Sequence, residues 1–312
     1  MGDPRKIAVI GAGHVGSHVA MGLLAQDLCG RLVLLDIDEA KARAQADDLQ
    51  DAAVLAPGGA RVWAGDYRDL ADAGFAVVCA GSLLVCEDRL QELSASLEVM
   101  DQIIPGLRGC GFGGILLVIT NPVDLTARYL SERLGLPWGR VLGSGTTLDS
   151  CRLVRELSRR TGTPPAAIRG FVVGEHGDSQ VPLWSGVTAE GLPLRELAAR
   201  DPRWKALDRE ETAEAVRRAG WEILCGKGST EFGIGAAAGE IIRAVQRDTG
   251  RVLPVSVPMK HGVFASLPCA LGKNGAERVA EPEMLPEERE RFEASCRRLE
   301  EIWNQTVEGR KP

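Results

Sequence analysis

Hydrophobic residues in the first half of the chain fall in short runs that alternate with longer amphipathic segments. The short runs are too short for buried helices and are bounded by Gly or charged residues, as strands buried on both faces are. They cover residues 7–10, 32–35, 75–79 and 115–119, and apolar residues recur at helical spacing over 15–26, 39–50 and 87–104. This alternation predicts an α/β fold, a doubly wound parallel sheet with helices on both faces.

The second half has a different pattern. Helical periodicity covers residues 150–160, 208–224 and 287–305, a short strand pattern covers 170–174, and Pro and Gly are frequent between them. We predict a Rossmann-type domain over residues 1–145 followed by an α+β domain over 146–312. No repeat or low-complexity linker separates them, so we expect the two halves to pack together.

Composition excludes several classes of protein. The chain has 312 residues, 45% of them hydrophobic and 26% charged, and a net charge of -6. These values are not those of a disordered or collagen-like chain, and the mild acidity argues against a nucleic-acid partner. No apolar run approaches the roughly 20 residues of a membrane helix, and the first ten residues do not resemble a signal peptide. We therefore predict a cytoplasmic protein without a membrane partner.

The eight cysteines include no CxxC pair, so zinc-site spacing is absent. Because the first residues do not resemble a signal peptide, the thiols are expected to be reduced. We predict that the thiols are reduced and that the protein binds no metal. His14 and His18 stand one helical turn apart, but a metal site there is disfavoured because no acid or cysteine pattern accompanies them.

The most informative motif lies between the first predicted strand and the first predicted helix, where the chain has the sequence Gly11-Ala12-Gly13-His14-Val15-Gly16. In a dinucleotide fingerprint the three glycines permit a tight turn, close approach to a pyrophosphate and close helix packing. Asp36 ends the next predicted strand about 20 residues further on, where a ribose-binding carboxylate belongs. Because Asp36 would repel a 2′-phosphate, the predicted cofactor is NAD. His14 and Val15 are predicted as loop contacts to this cofactor, with no catalytic role for His14.

A second motif surrounds His176, which follows a predicted strand in Gly174-Glu175-His176-Gly177-Asp178. Taken alone, this residue is as compatible with a strand-terminal histidine as with a catalytic one. Asp149 and Arg152 lie on one face of the helix predicted from residue 150, where the carboxylate would orient an imidazole and the guanidinium would bind a substrate carboxylate. An Asp and an Arg at this spacing are also an ordinary surface ion pair.

At this point the sequence resembles the NAD-dependent L-lactate/malate dehydrogenase family, and its lactate branch in particular. The matching segments include the glycine loop, Thr120-Asn121-Pro122-Val123-Asp124, residues 143–152, Gly174 to Asp178 and Lys227-Gly228-Ser229-Thr230. The resemblance implies an oxidoreductase that transfers a hydride between NAD and a small 2-oxo or 2-hydroxy acid. It also implies a homodimer or homotetramer.

Site roles follow from the resemblance. His176 would donate and accept the proton, Asp149 would hold its other ring nitrogen, and Arg152 would bind the substrate carboxylate. Arg89 would arrive on a closing loop to polarise the reacting carbonyl. Asn121 would contact substrate and cofactor, Thr230 would line the pocket, and Gly81 would complete the cofactor contacts.

Three departures bear on substrate and control. Malate enzymes have Arg six residues before the loop arginine and lactate enzymes usually Gln; here it is Leu83, or Leu84 if the shortened loop shifts the alignment. Gly220 matches the family's helical segment that borders the substrate side chain, and a glycine there would enlarge the pocket, which suggests pyruvate or a larger apolar 2-oxo acid. Val154 and Arg169 stand where many bacterial relatives bind fructose 1,6-bisphosphate through Arg and His, which argues against that effector.

Other functions stay open. An L-2-hydroxyisocaproate-type dehydrogenase is the principal alternative, and a malate dehydrogenase is disfavoured by Leu83. A non-catalytic NAD-binding protein would retain the fold without activity, and an NAD-dependent glycosidase of related fold would require a Cys/His metal site.

Overall fold

The first half of the chain forms a parallel sheet with helices on both faces. The computed structural model describes residues 2–81, 89–259 and 262–307, without the side chains of Arg89 and Leu90. The strands lie in the order β3-β2-β1-β4-β5-β6 and are all parallel. They are β1 (Asp3–Ile10), β2 (Arg31–Leu35), β3 (Arg61–Ala64), β4 (Ala73–Val78), β5 (Ile115–Val118) and β6 (Val141–Gly143). The predicted doubly wound sheet is confirmed, and the order reverses between β1 and β4, where such sheets bind ligands.

Four helices cover this sheet: α1 (His14–Ala25), α2 (Glu39–Leu55), α3 (Arg89–Gly109) and α4 (Val123–Leu134). Alternate residues of β1 enter two separate cores, Ile7 and Val9 on the α1 side and Ala8 and Ile10 on the α3 side. Because both faces are covered, the buried parts of the central strands are apolar on both sides, which explains their continuous hydrophobic runs.

The second half begins with helix α5 and a set of two-residue strands. Its first elements are α5 (Thr147–Thr161), β7 (Ile168–Arg169), β8 (Val172–Val173), β9 (Val181–Pro182), β10 (Thr188–Ala189) and β11 (Leu192–Pro193). The remaining elements are α6 (Leu194–Arg200), α7 (Pro202–Lys205), α8 (Arg209–Lys227), α9 (Phe232–Gln246), β12 (Arg251–Pro258), β13 (Phe264–Gly272), β14 (Gly275–Val279) and α10 (Pro286–Val307).

Strands from the second half extend the sheet of the first. β12 pairs antiparallel with β6 through Ser256 and Gly143, and β13 and β14 follow, which gives a nine-stranded sheet among the described residues. The hydrophobic pattern did not predict these three strands. The predicted strand at 170–174 is also shorter than expected, since the strand covers only Val172–Val173, and Gly174 forms an isolated bridge with Ser266.

Helix α9 was also missed by the sequence pattern, and its packing explains why. It is rich in Gly and Ala and lies directly on α1, where a Cβ on Gly235 would lie 3.2 Å from the carbonyl oxygen of His18. Small residues permit this approach, but the glycines among them have low helix propensity, so the segment did not stand out as a helix. Among the described residues, no helix is both long enough and apolar enough to span a bilayer.

Candidate active site

The glycine loop between β1 and α1 is shaped by three different constraints. Gly11 has a φ of 99°, a conformation that favours glycine. A Cβ on Gly16 would lie 1.8 Å from the Gly11 carbonyl oxygen, so only glycine allows helix and loop to approach this closely. Gly13 is different, because a Cβ there would have only the Lys41 ammonium nearby, at 3.8 Å. The space beside Gly13 is therefore open to a ligand.

Asp36 lies directly beside this loop at the end of β2. Its Oδ2 accepts a hydrogen bond from the backbone N–H of Ala12 at 2.8 Å, and its Oδ1 accepts one from Asp38 at 3.0 Å. Lys41 on α2 places its Nζ 3.8 Å from Asp36 Oδ2. Sequence analysis missed Lys41, since an exposed lysine on a helix has no distinguishing pattern.

Three other predicted cofactor residues lie around the loop. The imidazole of His14 is exposed, with Nδ1 3.8 Å from Glu231 Oε1. Val15 packs partly against the core. Gly81 follows β4 and is exposed, and a Cβ on it would lie 3.2 Å from Thr120 Cγ2.

These features suit a dinucleotide. Successive backbone N–H groups at the start of α1 favour an anion, and the open cradle at Gly13 allows a pyrophosphate to approach. The Asp36 carboxylate would accept hydrogen bonds from ribose hydroxyls and would repel a phosphate at the same position.

A cluster of three side chains forms where α5 meets the segment after β8, and it consists of His176, Asp149 and Arg152. Asp149 and Arg152 belong to α5, and His176 follows β8. Nδ1 of His176 lies 2.6 Å from Asp149 Oδ2, while Arg152 Nη1 donates to Asp149 Oδ1 at 2.9 Å. The Asp149 side chain is 1% exposed and that of His176 is 25% exposed. A buried carboxylate therefore holds both a partly accessible imidazole and a guanidinium.

The charges in this cluster determine its protonation. Burial disfavours the charged form of Asp149, but the charge of His176 and hydrogen bonds from His176 and Arg152 outweigh it and lower the pKa of Asp149. Burial likewise opposes the imidazolium, yet the charge and hydrogen bond of Asp149 raise the pKa of His176 above 6.5. The pair thus favours the protonated imidazole more than water does.

The other predicted substrate residues differ in their exposure and in their contacts with the cluster. Asn121 follows β5 in the loop before α4, is exposed, and is joined to Pro122 by a cis peptide bond. Gly220 on α8 lies against the Arg152 guanidinium. Thr230 is partly buried between α8 and α9. Leu83 and Leu84 lie outside the described residues, as does the side chain of Arg89, whose backbone begins α3.

Val154 and Arg169 occupy the positions at which many bacterial relatives bind fructose 1,6-bisphosphate, and they do not provide two free cations. Val154 packs against the apolar cluster beneath α5. Arg169 uses Nη1 to donate to the carbonyl oxygens of Ala166 and Ile168, at 3.0 and 3.1 Å. Among the described residues, no three His, Cys, Asp or Glu side chains lie close enough together to hold a metal ion.

The fold and the site together define an NAD(P)-type dehydrogenase architecture, with a dinucleotide loop and an imidazole–carboxylate–guanidinium cluster. The sequence model of the lactate/malate dehydrogenase NAD binding domain matches residues 5–143. The model of the lactate/malate dehydrogenase alpha/beta C-terminal domain matches residues 146–309. The chain belongs to the lactate/malate dehydrogenase family.

Individual relatives lie on the lactate branch of this family. The chain is 37% identical to an L-lactate dehydrogenase of Fusobacterium nucleatum, with 94% of each chain covered. It is 34% identical to L-lactate dehydrogenase 2 of Enterococcus faecalis, with 96% of each covered. A ligand-bound crystal structure of a minor L-lactate dehydrogenase from Enterococcus mundtii superposes with a TM-score of 0.92 at 31% identity, covering 96% of this chain and 98% of that one.

Proposed function

We propose that this chain is an NAD-dependent L-2-hydroxyacid dehydrogenase that interconverts pyruvate, or a larger apolar 2-oxo acid, with the corresponding L-2-hydroxy acid. The observation that carries this proposal is the single Asp149 carboxylate that bonds His176 at 2.6 Å and Arg152 at 2.9 Å. This arrangement supplies a proton donor and a carboxylate-binding cation side by side. The L-lactate dehydrogenase names of the relatives support the same activity.

In the reducing direction, His176 acts as a general acid. When bound, NADH supplies the hydride for C2 of the 2-oxo acid. The imidazolium of His176 gives its proton to the carbonyl oxygen, and the reverse reaction requires the neutral imidazole as base. Asp149 fixes the ring through Nδ1, so Nε2 carries the proton that is transferred. Asp149 raises the pKa of His176, so the ring keeps this proton to a higher pH than a free imidazole does.

Arg152 binds the substrate carboxylate. Nη1 is held by Asp149, and the planar guanidinium is suited to a bidentate pair with a carboxylate. Arg89 would act on the carbonyl oxygen, where charge develops only in the transition state. That role rests on the sequence resemblance, since the Arg89 side chain lies outside the described residues.

Substrate size depends on Gly220 and on the loop before α3. Gly220 leaves the space beside Arg152 without a side chain. Leu83, or Leu84, would place an apolar group where a dicarboxylate requires a cation, so oxaloacetate would lose several kcal/mol of binding. Branched 2-oxo acids, as used by L-2-hydroxyisocaproate dehydrogenases, are therefore candidate substrates alongside pyruvate.

Further features belong to this proposal. Asp36 favours NAD over NADP. We propose domains at residues 1–145 and 146–312, a cytoplasmic location, and a homodimer or homotetramer.

A substrate panel tests the proposal. We would compare kcat/KM for pyruvate, 2-oxoisocaproate and oxaloacetate with NADH, and repeat the best substrate with NADPH. The proposal predicts turnover of the monocarboxylates with NADH. A clear preference for oxaloacetate would contradict the substrate class, and absence of NADH oxidation with every 2-oxo acid would favour a non-catalytic NAD-binding protein.

A further inference from the structure

Asp124 is a buried carboxylate to which the mechanism above gives no task. It lies in the first turn of α4, just after Asn121, and is 1% exposed. Its Oδ2 accepts the backbone N–H of His176 at 2.8 Å, across 52 positions of sequence. His176 is therefore held twice by carboxylates, through its ring by Asp149 and through its backbone by Asp124.

The other oxygen of Asp124 faces a second link in the same site. Ser266 Oγ on β13 lies 3.5 Å from Asp124 Oδ1 and accepts the backbone N–H of Thr146 at 3.1 Å. Ser266 also pairs with Gly174 through two backbone hydrogen bonds of 2.9 Å. Asp124 thus connects the loop that carries His176 with the segment from which α5 presents Asp149 and Arg152.

The charged groups around Asp124 give it an electrostatic influence on His176. Burial raises the pKa of Asp124 to about 6, although the nearby Ser256 hydroxyl on β12 and the backbone N–H of His176 offset part of this increase. The negative charge of Glu175, in the loop that carries His176, raises the pKa of Asp124 further. The Cys296 thiol on α10 lies near Asp124. Arg298 on α10 lies 3.8 Å from Glu175. The start of α4 favours the charged form.

We propose that Asp124 is a positioning residue that fixes His176 against Asp149 and supplies a second negative charge favouring the imidazolium. This inference rests on the proposed function for its kinetic consequences, but its effect on His176 exists without turnover. From α5, the charge of Asp149 favours the imidazolium and that of Arg152 opposes it, while Asp124 adds a negative charge from α4.

The test is the ionisation of His176 in Asp124→Asn, which keeps an oxygen acceptor for the His176 amide and removes the charge. The rate of His176 modification by diethyl pyrocarbonate, followed by mass spectrometry of the His176 peptide against pH, gives the midpoint without cofactor or substrate. We expect the midpoint to fall by about one unit. In turnover, 2-oxo acid reduction should decline at correspondingly lower pH, while L-2-hydroxy acid oxidation reaches its plateau at lower pH.

Two further variants separate charge from structure. Asp124→Glu retains the charge and should restore the wild-type midpoint of His176 modification. Its activity can still be lower, because the longer side chain positions His176 differently. Ser266→Ala loosens the site without removing the carboxylate, so its midpoint should also stay near that of the wild type. An unchanged midpoint in Asp124→Asn would overturn the proposal. If Asp124→Asn does not fold, a lowered midpoint in Asp124→Glu or Ser266→Ala would overturn it instead. If the wild-type chain reduces no 2-oxo acid, the proposed function fails while the midpoint shift is still measurable.

Discussion

The backbone of Gly220 lies against the guanidinium of Arg152. A Cβ on Gly220 would stand 3.3 Å from Nη1 and 3.4 Å from Nη2 of Arg152. Since Nη1 is already bonded to Asp149, a larger residue at position 220 would disturb the group proposed to bind the substrate carboxylate. Gly220 therefore acts on substrate binding through Arg152 as well as through pocket size.

Gly220→Ala should raise the KM for the preferred 2-oxo acid by roughly 3- to 10-fold and change kcat less, because the guanidinium must move by a few tenths of an ångström. Gly226→Ala on the same helix is the matched control, since a Cβ there meets nothing within 4 Å. Both substitutions gain up to about 1 kcal/mol of helix propensity. Equal KM values in the two variants would argue against the contact with Arg152.

Asp149→Asn should shift the pH dependence of turnover. The negative charge of Asp149 raises the pKa of His176, so in the wild type 2-oxo acid reduction should persist above pH 6.5 and fall as pH rises through the raised pKa. Without that charge the decline should occur at lower pH, and kcat/KM at pH 7 should fall by about 100-fold or more. Profiles of reduction and oxidation measure this shift. Identical midpoints in both proteins would contradict the role of Asp149.

Gly13→Ala and Gly16→Ala should affect different properties. The Gly16 substitution forces a Cβ onto the Gly11 carbonyl and should destabilise the chain by about 3 kcal/mol. The Gly13 substitution meets only Lys41 and should leave stability nearly unchanged while weakening NADH binding. Urea unfolding and fluorescence titration with NADH measure the two effects. Unimpaired NADH binding by Gly13→Ala would show that the cofactor does not approach this position.

Arg152→Lys should raise the apparent KM by about 100-fold, because lysine cannot form the bidentate pair with a carboxylate. Arg155→Lys on the same helix is the control, since the Arg155 side chain is 55% exposed and pairs with Glu156. A larger effect on kcat than on KM would assign Arg152 to the transition state instead.

Local sequence patterns predicted those parts of the fold that depend on neighbouring residues. The roles of Gly11, Gly16 and Asp36 could be predicted from sequence, because the constraints on them arise within one strand–turn–helix unit. The strands β12, β13 and β14 were not predicted, because they contain or adjoin Pro and Gly, and their position depends on pairing with distant β6. Nor could the pattern of α9 reveal that it packs closely on α1.

The candidate site shows the same division. The motifs around Asp149 and His176 indicated their chemistry, but the contact between Asp124 and the His176 backbone joins residues far apart in sequence. Lys41 had no distinguishing sequence pattern, because only the fold brings it beside Asp36 and Gly13. Leu83 and the Arg89 side chain lie outside the described residues, so their roles stay predictions.

The most direct test of the central claim is the initial rate of NADH oxidation with pyruvate, compared between the wild-type chain and His176→Asn at equal concentration. Our account predicts sustained turnover to L-lactate by the wild type and a rate lower by 100- to 10,000-fold in the variant, roughly the contribution of a general acid. Retention of wild-type turnover by His176→Asn would contradict the proposed chemistry.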